Sequence, residues 1–537
     1  MKRSKFFLYA LLSGILFSIA WPPIGFPVIL FIAFVPLLYI EDIVATEKNS
    51  SSRFILFTSS FFAFLIWNIT STFWVCNASV PGGIAAILLN SLIMAVVFLL
   101  FHTSKKKMIE LGVPISRAIF LLPVFWIGYE FFHHRWDVTW PWLTLGNAFA
   151  ANHTWIQWYE YTGVPGGSLW VLIINVLLYS CIKRNEWRSI RIQLVSIGLI
   201  LIVPILISLY LYDRCNSLEN SSVKNKISVV VVQPNIDPFS EKFSSMNYKE
   251  QLDKMLVLAA EKVDSTTDYL VFPETALTEN IWENDIYQTS SIRILKTFLE
   301  KYPKLKIAVG ASTSYVYEQG ENPSVTARKF KRQDGYYDSY NTALQIDNTD
   351  SIQIYHKSKL VPGVERMPYP AVFGFLENLS IDLGGTAGSL GTQEIRGVFK
   401  SSSGSVAPVI CYESIYGEFV TDYIKNDASV IFIITNDGWW RDTPGYKQHL
   451  LYGRLRAIET RRCIARSANT GISCFINERG DFSQETGWWV PAAIKETICL
   501  NSEKTFYVNN GEMIGRVCFY TWLLVLVILF SLRFIKK

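Results

Sequence analysis

What most limits the fold of this chain is where its apolar residues lie. Up to about residue 212 they gather in long runs, between about 213 and 510 they are dispersed as in a globular protein, and one further run closes the chain. Half of the 537 residues are hydrophobic, more than an ordinary soluble enzyme of this size carries. Candidate membrane spans fall at about 6–21, 24–40, 54–75, 83–102, 116–133, 163–182, 192–212 and 514–533. Most approach the ~20 residues a helix needs to cross ~30 Å of hydrocarbon. The first two are short and meet at "WPPIG", which predicts a tight hairpin. The first run, behind "MKRSK", has the flank of a signal peptide, but the prolines after "FSIAW" make a poor cleavage site, so a retained span is expected. The chain therefore reads as a membrane protein that carries a large soluble domain.

Orientation follows from the Lys and Arg of the short loops. Lys2, Arg3 and Lys5 precede the first run, and "CNASVPGG" is uncharged. Lys105, Lys106, Lys107 and Arg117 fill the next loop, Lys183, Arg184, Arg188 and Arg191 the one after the sixth run, and Arg533, Lys536 and Lys537 the end. The loop at 41–53 is a weaker member, its acids matching its bases. Basic and poor loops alternate as eight spans with both termini cytoplasmic require, and this places 213–510 on the non-cytoplasmic side.

The net charge of +5 comes largely from those loops, so a nucleic-acid partner has no support. Eight cysteines (76, 181, 215, 411, 463, 474, 499 and 518) show no spacing with each other or with His that suggests a metal. An oxidising compartment would permit disulfides among Cys215, Cys463, Cys474 and Cys499, with no pairing fixed by the sequence. A transporter would line its path with ionisable residues, whereas these apolar runs hold few, Glu130 being the main exception.

The soluble part alternates buried-looking strands with amphipathic helices. "KISVVVVQPNID", "YLVFPETAL", "LKIAVGAST", "YNTALQIDN", "SIQIYHKSKLVP", "VAPVICYES", "ASVIFIITNDGWW" and "NTGISCFINERG" read as strands with the loops that follow. "YKEQLDKMLVLAAEKV" and "QHLLYGRLRAIETRRCIAR" have helical spacing. This alternation predicts a layered α/β domain with a mixed sheet, because some strands are joined too briefly for helices. Chemistry in such sheets gathers beyond strand ends, and three strands end in a titratable group: Glu274 after "YLVFP", Lys357 after "IQIYH" and Cys411 after "VAPVI". Each alone has a plainer explanation: a helix-start carboxylate, a solvated lysine, an inert buried thiol. A thiol at a strand-to-helix junction, however, lies near backbone N–H groups that favour its thiolate.

Taken together, Glu, Lys and Cys in this order resemble the nitrilase superfamily. The apolar runs and several segments are similar to its membrane branch, the bacterial apolipoprotein N-acyltransferases, along nearly the whole chain. The segments are "WPWLTLGNAFA" at 140–150, "TGVPGGSLWVLIIN" at 162–175, "FPET" at 272–275, "YHKSKLVP" at 355–362 and "ICYE" at 410–413. The most specific is "TNDGWW…QHL…RAIETRR…R.ANTG" at 435–471.

The resemblance implies an α-helical transmembrane bundle of eight spans plus a nitrilase-like αββα periplasmic domain. Residues 1–212 would carry seven helices, 213–510 the catalytic domain and 511–537 the last helix. It implies Glu274 as general base, Lys357 as oxyanion-stabilising cation and Cys411 as nucleophile, supported by Glu365, Tyr412 and Glu413. It further implies a monomer in a bacterial inner membrane with no cofactor and no metal, a membrane phospholipid as acyl donor and a diacylglyceryl-apolipoprotein as acceptor. Two departures stand out: "LVPGVE" replaces the usual "LVPFGE", and Phe243 stands where the family often has tryptophan.

Elementary chemistry agrees with those roles. A thiol of pKa ~8.5 needs a base or a positive field to attack an ester at neutral pH. Glu274 can take its proton, and Lys357 with the Tyr412 N–H can hold the developing oxyanion, one such donor being worth ~3 kcal/mol. Two other enzymes fit parts of the pattern. A membrane-anchored amidase would use the same three residues on one anchor, and a Cys-His hydrolase would recruit His356 or His449. Aromatic and glycine-bearing loops near 239–246, 366–392 and 439–447 read either as lids facing lipid or as ordinary surface loops.

Overall fold

The computed structural model describes residues 3–46, 51–183, 186–219, 225–369 and 389–535, so most of the 366–392 loop lies outside the described residues. The chain divides into two compact units, 1–213 with 510–537, and 214–509.

The first unit is helical. Seven helical segments among the described residues are long and apolar enough to cross a membrane: Pro27–Thr46, Ser52–Asn77, Val80–Glu110, Ile115–His133, Val164–Ile182, Trp187–Cys215 and Phe506–Leu532. The first run forms a shorter apolar helix, Ser4–Ala20. At "WPPIG" the chain doubles back, the Phe26 N–H reaching the Ile19 carbonyl at 3.0 Å. Gly25 is required there, because a Cβ would lie 2.1 Å from the Trp21 carbonyl oxygen. The second run is broken near Phe34, with Pro36 unable to donate a helical bond. Asn175 repairs the break, taking the Phe34 N–H at 2.9 Å and giving a hydrogen bond to the Leu30 carbonyl at 2.8 Å. Glu130 is buried and accepts from the Leu145 N–H at 2.9 Å and the Trp126 indole at 3.2 Å. A second buried carboxylate, Glu41, pairs with His102 and Lys105, and burying such charge requires pairing.

The second unit is two facing sheets with helices outside. In chain order the strands are β1 Lys226–Gln233, β2 Tyr269–Val271, β3 Leu277–Trp282, β4 Lys306–Val316, β5 Arg328–Lys329, β6 Tyr336–Ile346, β7 Ile352–His356, β8 Phe399–Ser401, β9 Gly404–Ile410, β10 Val430–Thr435, β11 Ile464–Ala468, β12 Cys474–Ile476, β13 Phe482–Ser483 and β14 Ala492–Cys499. One sheet runs β14-β1-β2-β4-β6-β5, with β3 on β4 and β7 on β6; the other runs β13-β12-β11-β10-β9-β8. Both are mixed: β1, β2 and β4 pair in parallel, as do β9, β10 and β11, with antiparallel partners beside them.

The apolar run of β1 has a simple cause in the alternation of side chains along a strand. Val229 and Val231, with Tyr269 and Val271 of β2, face the second sheet and pack with Ile431 and Ile433. Val230, Val232 and Leu270 face the opposite way, onto the helices Tyr248–Ala260 and Ser290–Leu299 through Leu252, Met255 and Leu295. A strand covered on both faces has no polar side to show. The long helix Pro444–Thr460 stops before the end of its helix-like segment, because Arg461 turns left-handed (φ +50°) and starts the approach to β11.

Candidate active site

Glu274 and Lys357 follow β2 and β7 of one sheet, and Cys411 follows β9 of the other. At each position the chain leaves its strand abruptly. Thr275, beside Glu274, has φ +47°, and Cys411 itself has φ +48°, conformations that a residue with a Cβ adopts only when its surroundings enforce them. The Glu274 turn can sit close to β4 because position 310 is glycine. A Cβ there would lie 2.6 Å from the Glu274 Cα and the Pro273 carbonyl oxygen. Lys357 is fixed by its own N–H, which donates to the Asn341 carbonyl of β6 at 2.8 Å.

The structure brings Glu274, Lys357 and Glu365 into direct contact. Lys357 Nζ donates to Glu274 Oε1 at 2.9 Å and to Glu365 Oε1 at 2.8 Å. Asn341 Nδ2 bridges the same two oxygens at 2.8 and 3.0 Å, and Glu365 Oε2 accepts from the Val361 N–H at 2.8 Å. The glutamate of the altered "LVPGVE" turn thus joins the cluster.

Burial is the largest influence on each of the three strand-end groups. It favours a neutral Glu274, yet the charge and hydrogen bond of Lys357 outweigh it and hold the carboxyl below its usual range. Burial likewise opposes the Lys357 charge, but Glu274 and Glu365 drive its pKa well above the ordinary value. Burial, then the nearby Glu274 charge, push the Cys411 thiol well up, with Lys357 and a Thr435 hydrogen bond pulling against them. The directions of these shifts favour a carboxylate on Glu274, an ammonium on Lys357 and a protonated thiol on Cys411.

Glu413 is placed elsewhere in the same locality. Its carboxyl is fully buried and accepts from Tyr355 OH and the Ser358 N–H at 2.7 Å each, the Ile410 N–H at 2.8 Å and Tyr423 OH at 3.2 Å. It ties the residues flanking Cys411 to the residue after Lys357. Burial raises its pKa against the pull of the two N–H groups. Tyr412 is buried with its ring edge against Tyr416, centroids 5.3 Å apart.

Both candidate histidines are engaged with other partners. His356 stacks on Tyr340 at 3.8 Å and pairs with Glu283 at 2.8 Å. His449 Nε2 faces the Cys411 carbonyl oxygen at 3.2 Å and Ser414 Oγ at 2.9 Å, while Nδ1 faces Asp437 Oδ1 at 2.9 Å. Asp437 also accepts from Arg466 at 2.5 Å and from Thr435 at 2.7 Å. This buried Asp437–His449–Arg466 group braces the backbone of the strained cysteine.

Sequence reasoning passed over Asn341, Lys242, Thr435 and Asp437. Asn341 was visible as the one amide at the head of the apolar "NTALQI". Lys242 had no signal, lying in the polar "FSEKFSS". Phe243, at the family's tryptophan position, is exposed and stacks on Trp439, centroids 6.3 Å apart. Phe239 meets the same ring edge-on at 5.3 Å, so the 239–246 and 439–447 loops touch. Beside them Asp237, Phe239, Arg441, Asp442, Trp488 and Trp489 line a cleft of about 360 Å³. Cys215, Cys463, Cys474 and Cys499, for which disulfides were permitted, are all free, as are the other four cysteines. No His/Cys/Asp/Glu group among the described residues could hold a metal ion.

This geometry can be set beside known proteins. A profile of the apolipoprotein N-acyltransferase N-terminal domain matches residues 13–177, and one of carbon-nitrogen hydrolases matches 228–504. The chain is 31% identical over 532 residues to an apolipoprotein N-acyltransferase of Chlorobaculum tepidum, covering 96% of this chain and 95% of the relative. It is 24% identical to one of Geobacter metallireducens, covering 95% and 93%. Among solved structures, Saccharomyces cerevisiae Nit3, described as a member of branch 10 of the nitrilase superfamily, aligns at a TM-score of 0.38 and 16% identity. That alignment covers 52% of this chain and 92% of the yeast protein. A cysteine-to-alanine mutant of a Nesterenkonia amidase of the same superfamily aligns at 0.35 and 14%, covering 54% and 96%. One profile thus accounts for the helical part and the other for the layered part, and a relative follows the chain almost end to end. On that ground the chain belongs to the apolipoprotein N-acyltransferase family.

Proposed function

We propose that this protein moves an acyl chain from a membrane phospholipid, through a thioester on Cys411, to the α-amine of the N-terminal diacylglyceryl-cysteine of an apolipoprotein. The observation that carries it is the meeting of Glu274 and Lys357 at 2.9 Å in the electrostatic reach of the Cys411 thiol. In the first half-reaction Glu274 takes the thiol proton as sulfur bonds to the ester carbonyl carbon, and the oxyanion forms against the Lys357 ammonium. The C–O bond then breaks, and Glu274 returns the proton to the leaving oxygen, giving a lysophospholipid and acyl-Cys411. In the second, the acceptor amine nitrogen bonds to the thioester carbonyl carbon, Glu274 takes one amine proton, the C–S bond breaks, and Glu274 returns that proton to the departing Cys411 thiolate. Cys411 is only 9% exposed, so water reaches the thioester poorly and the acyl group can wait for an amine.

The same reading assigns residues 213–510 to a catalytic domain on the periplasmic side. Both termini would be cytoplasmic and eight helices would cross the inner membrane, with the short Ser4–Ala20 helix as the first. The Lys/Arg alternation supports this. The molecule is taken to act as a monomer without cofactor.

The test is intact-protein mass after incubation with phospholipid alone, then with a diacylglyceryl-cysteine peptide. The expected result is a mass gain of one acyl chain at Cys411 that the peptide removes while becoming N-acylated. Peptide acylation with no adduct at any time, or adduct released only as free fatty acid, would overturn the scheme.

A further inference from the structure

Lys242 is a lysine where a lysine is costly. It is 2% exposed, in the short helical turn Glu241–Ser245 between two outward-facing aromatics, Phe239 and Phe243. Its Nζ donates to the Glu274 carbonyl oxygen at 3.0 Å and to Thr275 Oγ1 at 2.7 Å. Both acceptors are neutral oxygens, and both belong to the turn that presents Glu274. Burial lowers the Lys242 pKa to about 8, against the opposing charges of Glu274 and Cys411. The arm around it is held from below, Gln251 donating to the Lys242 and Met246 carbonyls at 2.8 Å each. The rest of its outer face leans on Trp439 through Phe239 and Phe243. A lysine serving solubility would stay in water. This one points inward, onto the Glu274 carbonyl and the side-chain hydroxyl of Thr275, the residue with φ +47°.

We propose that Lys242 is a positioning residue for the transfer reaction: its two hydrogen bonds pin the Glu274 turn beneath the 239–245 arm. The arm and the base are then seated as one piece, and displacement of the arm unseats the base. The inference rests on the proposed acyl-enzyme scheme for its role, but the contact it invokes is independent of the acyl donor.

The experiment uses the full chain in detergent and compares Lys242→Met, Lys242→Arg and the parent protein. Three quantities are read: the unfolding midpoint, the rate of adduct formation with phosphatidylethanolamine micelles, and the rate of iodoacetamide labelling at Cys411 resolved by peptide mass. Loss of the pin is expected to slow adduct formation and labelling in Lys242→Met by ~10-fold or more, as misplacing a general base does. Lys242→Arg, which keeps hydrogen-bond donors, should recover most of both rates. Parent-like rates in Lys242→Met, or a folded Lys242→Arg as slow as Lys242→Met, would overturn the proposal. If the parent forms no adduct, the donor assignment fails, and labelling alone decides the role of Lys242. If Lys242→Met does not fold, Thr275→Val and Thr275→Ser take its place. Slow labelling in Val and parent-like labelling in Ser support the pin, and equal labelling in the two refutes it.

Discussion

At the scale of single residues, the roles of the three strand-end groups separate cleanly. Cys411→Ser and Cys411→Ala should insert and fold yet form no acyl adduct, because a serine hydroxyl is far less acidic than a thiol. N-acylation retained in Cys411→Ser would point to direct transfer. Glu274→Gln and Lys357→Met should each slow adduct formation at least ~10²-fold, as loss of a general base or of a charge-stabilising donor does. Normal adduct in either would remove that residue from its role. The pH dependence follows from the opposite displacements of Glu274, the proposed base, and Cys411, the proposed nucleophile. Lys357 holds Glu274 below its usual range, so the base stays ionised as pH falls to the ordinary glutamate value of ~4.3. Adduct formation, followed by quenched intact mass, should therefore show no acid limb above ~4.3 while the protein remains folded, and an inflection near neutrality would contradict this. These three residues were legible because each ends a buried apolar run with a titratable group. Asn341 and Lys242 were not, since their importance comes from partners 67 and 32 residues away, and no local pattern encodes that.

At the scale of elements, two supports of the site make separate predictions. Gly310 lets β4 pass close under the Glu274 turn, so Gly310→Ala should displace that turn. The expected cost is ~1–3 kcal/mol of stability from overpacking, with a larger fractional loss of adduct formation than of the unfolding midpoint. Parent-like activity would show that the turn relaxes freely. Asp437 braces Cys411, the proposed nucleophile, through His449 within the sheet that carries both. Burial disfavours its charge, but Arg466 and His449 prevail and depress its pKa strongly. A depressed carboxyl contributes stability that is present above the unfolded value of ~3.9 and lost as pH falls below it. Asp437→Asn should lose ~3–5 kcal/mol by leaving Arg466 buried without its carboxylate. It should also lack that portion of the acid-dependent fall in the unfolding midpoint, and an unchanged acid profile would refute the assignment. Central strands such as β1, β9 and β10 could be read from sequence because both their faces are covered, whereas β11, equally buried, was read as the tail of the preceding helix. β14 and β3 were missed, as "AAIKETIC" and "LTENIW" are only partly buried and mix polar with apolar residues. The end of the helix at Thr460 was missed for a related reason: Arg461 turns left-handed inside a stretch whose helical spacing simply continues.

At the scale of the whole molecule, the division into a helical and a layered part was visible in the distribution of apolar runs, since burial in lipid and burial in a core demand different lengths of unbroken hydrophobicity. The short first helix and the break near Phe34 were less legible, because Asn175 repairs that break from a helix distant in sequence. The proposed topology is tested at Ser402, which is exposed on the turn between β8 and β9. A cysteine placed there should react with a membrane-impermeant maleimide in intact spheroplasts, and labelling only after lysis would reverse the orientation. The eight free thiols have a meaning for what holds such a protein together. Without a crosslink, its stability rests on packing and on buried pairs such as Asp437 with Arg466. It also has no resolving partner to shield Cys411 from peroxide. Dithiothreitol should leave its unfolding midpoint where it was, and oxidation confined to Cys411, the proposed nucleophile, should stop N-acylation without unfolding the protein.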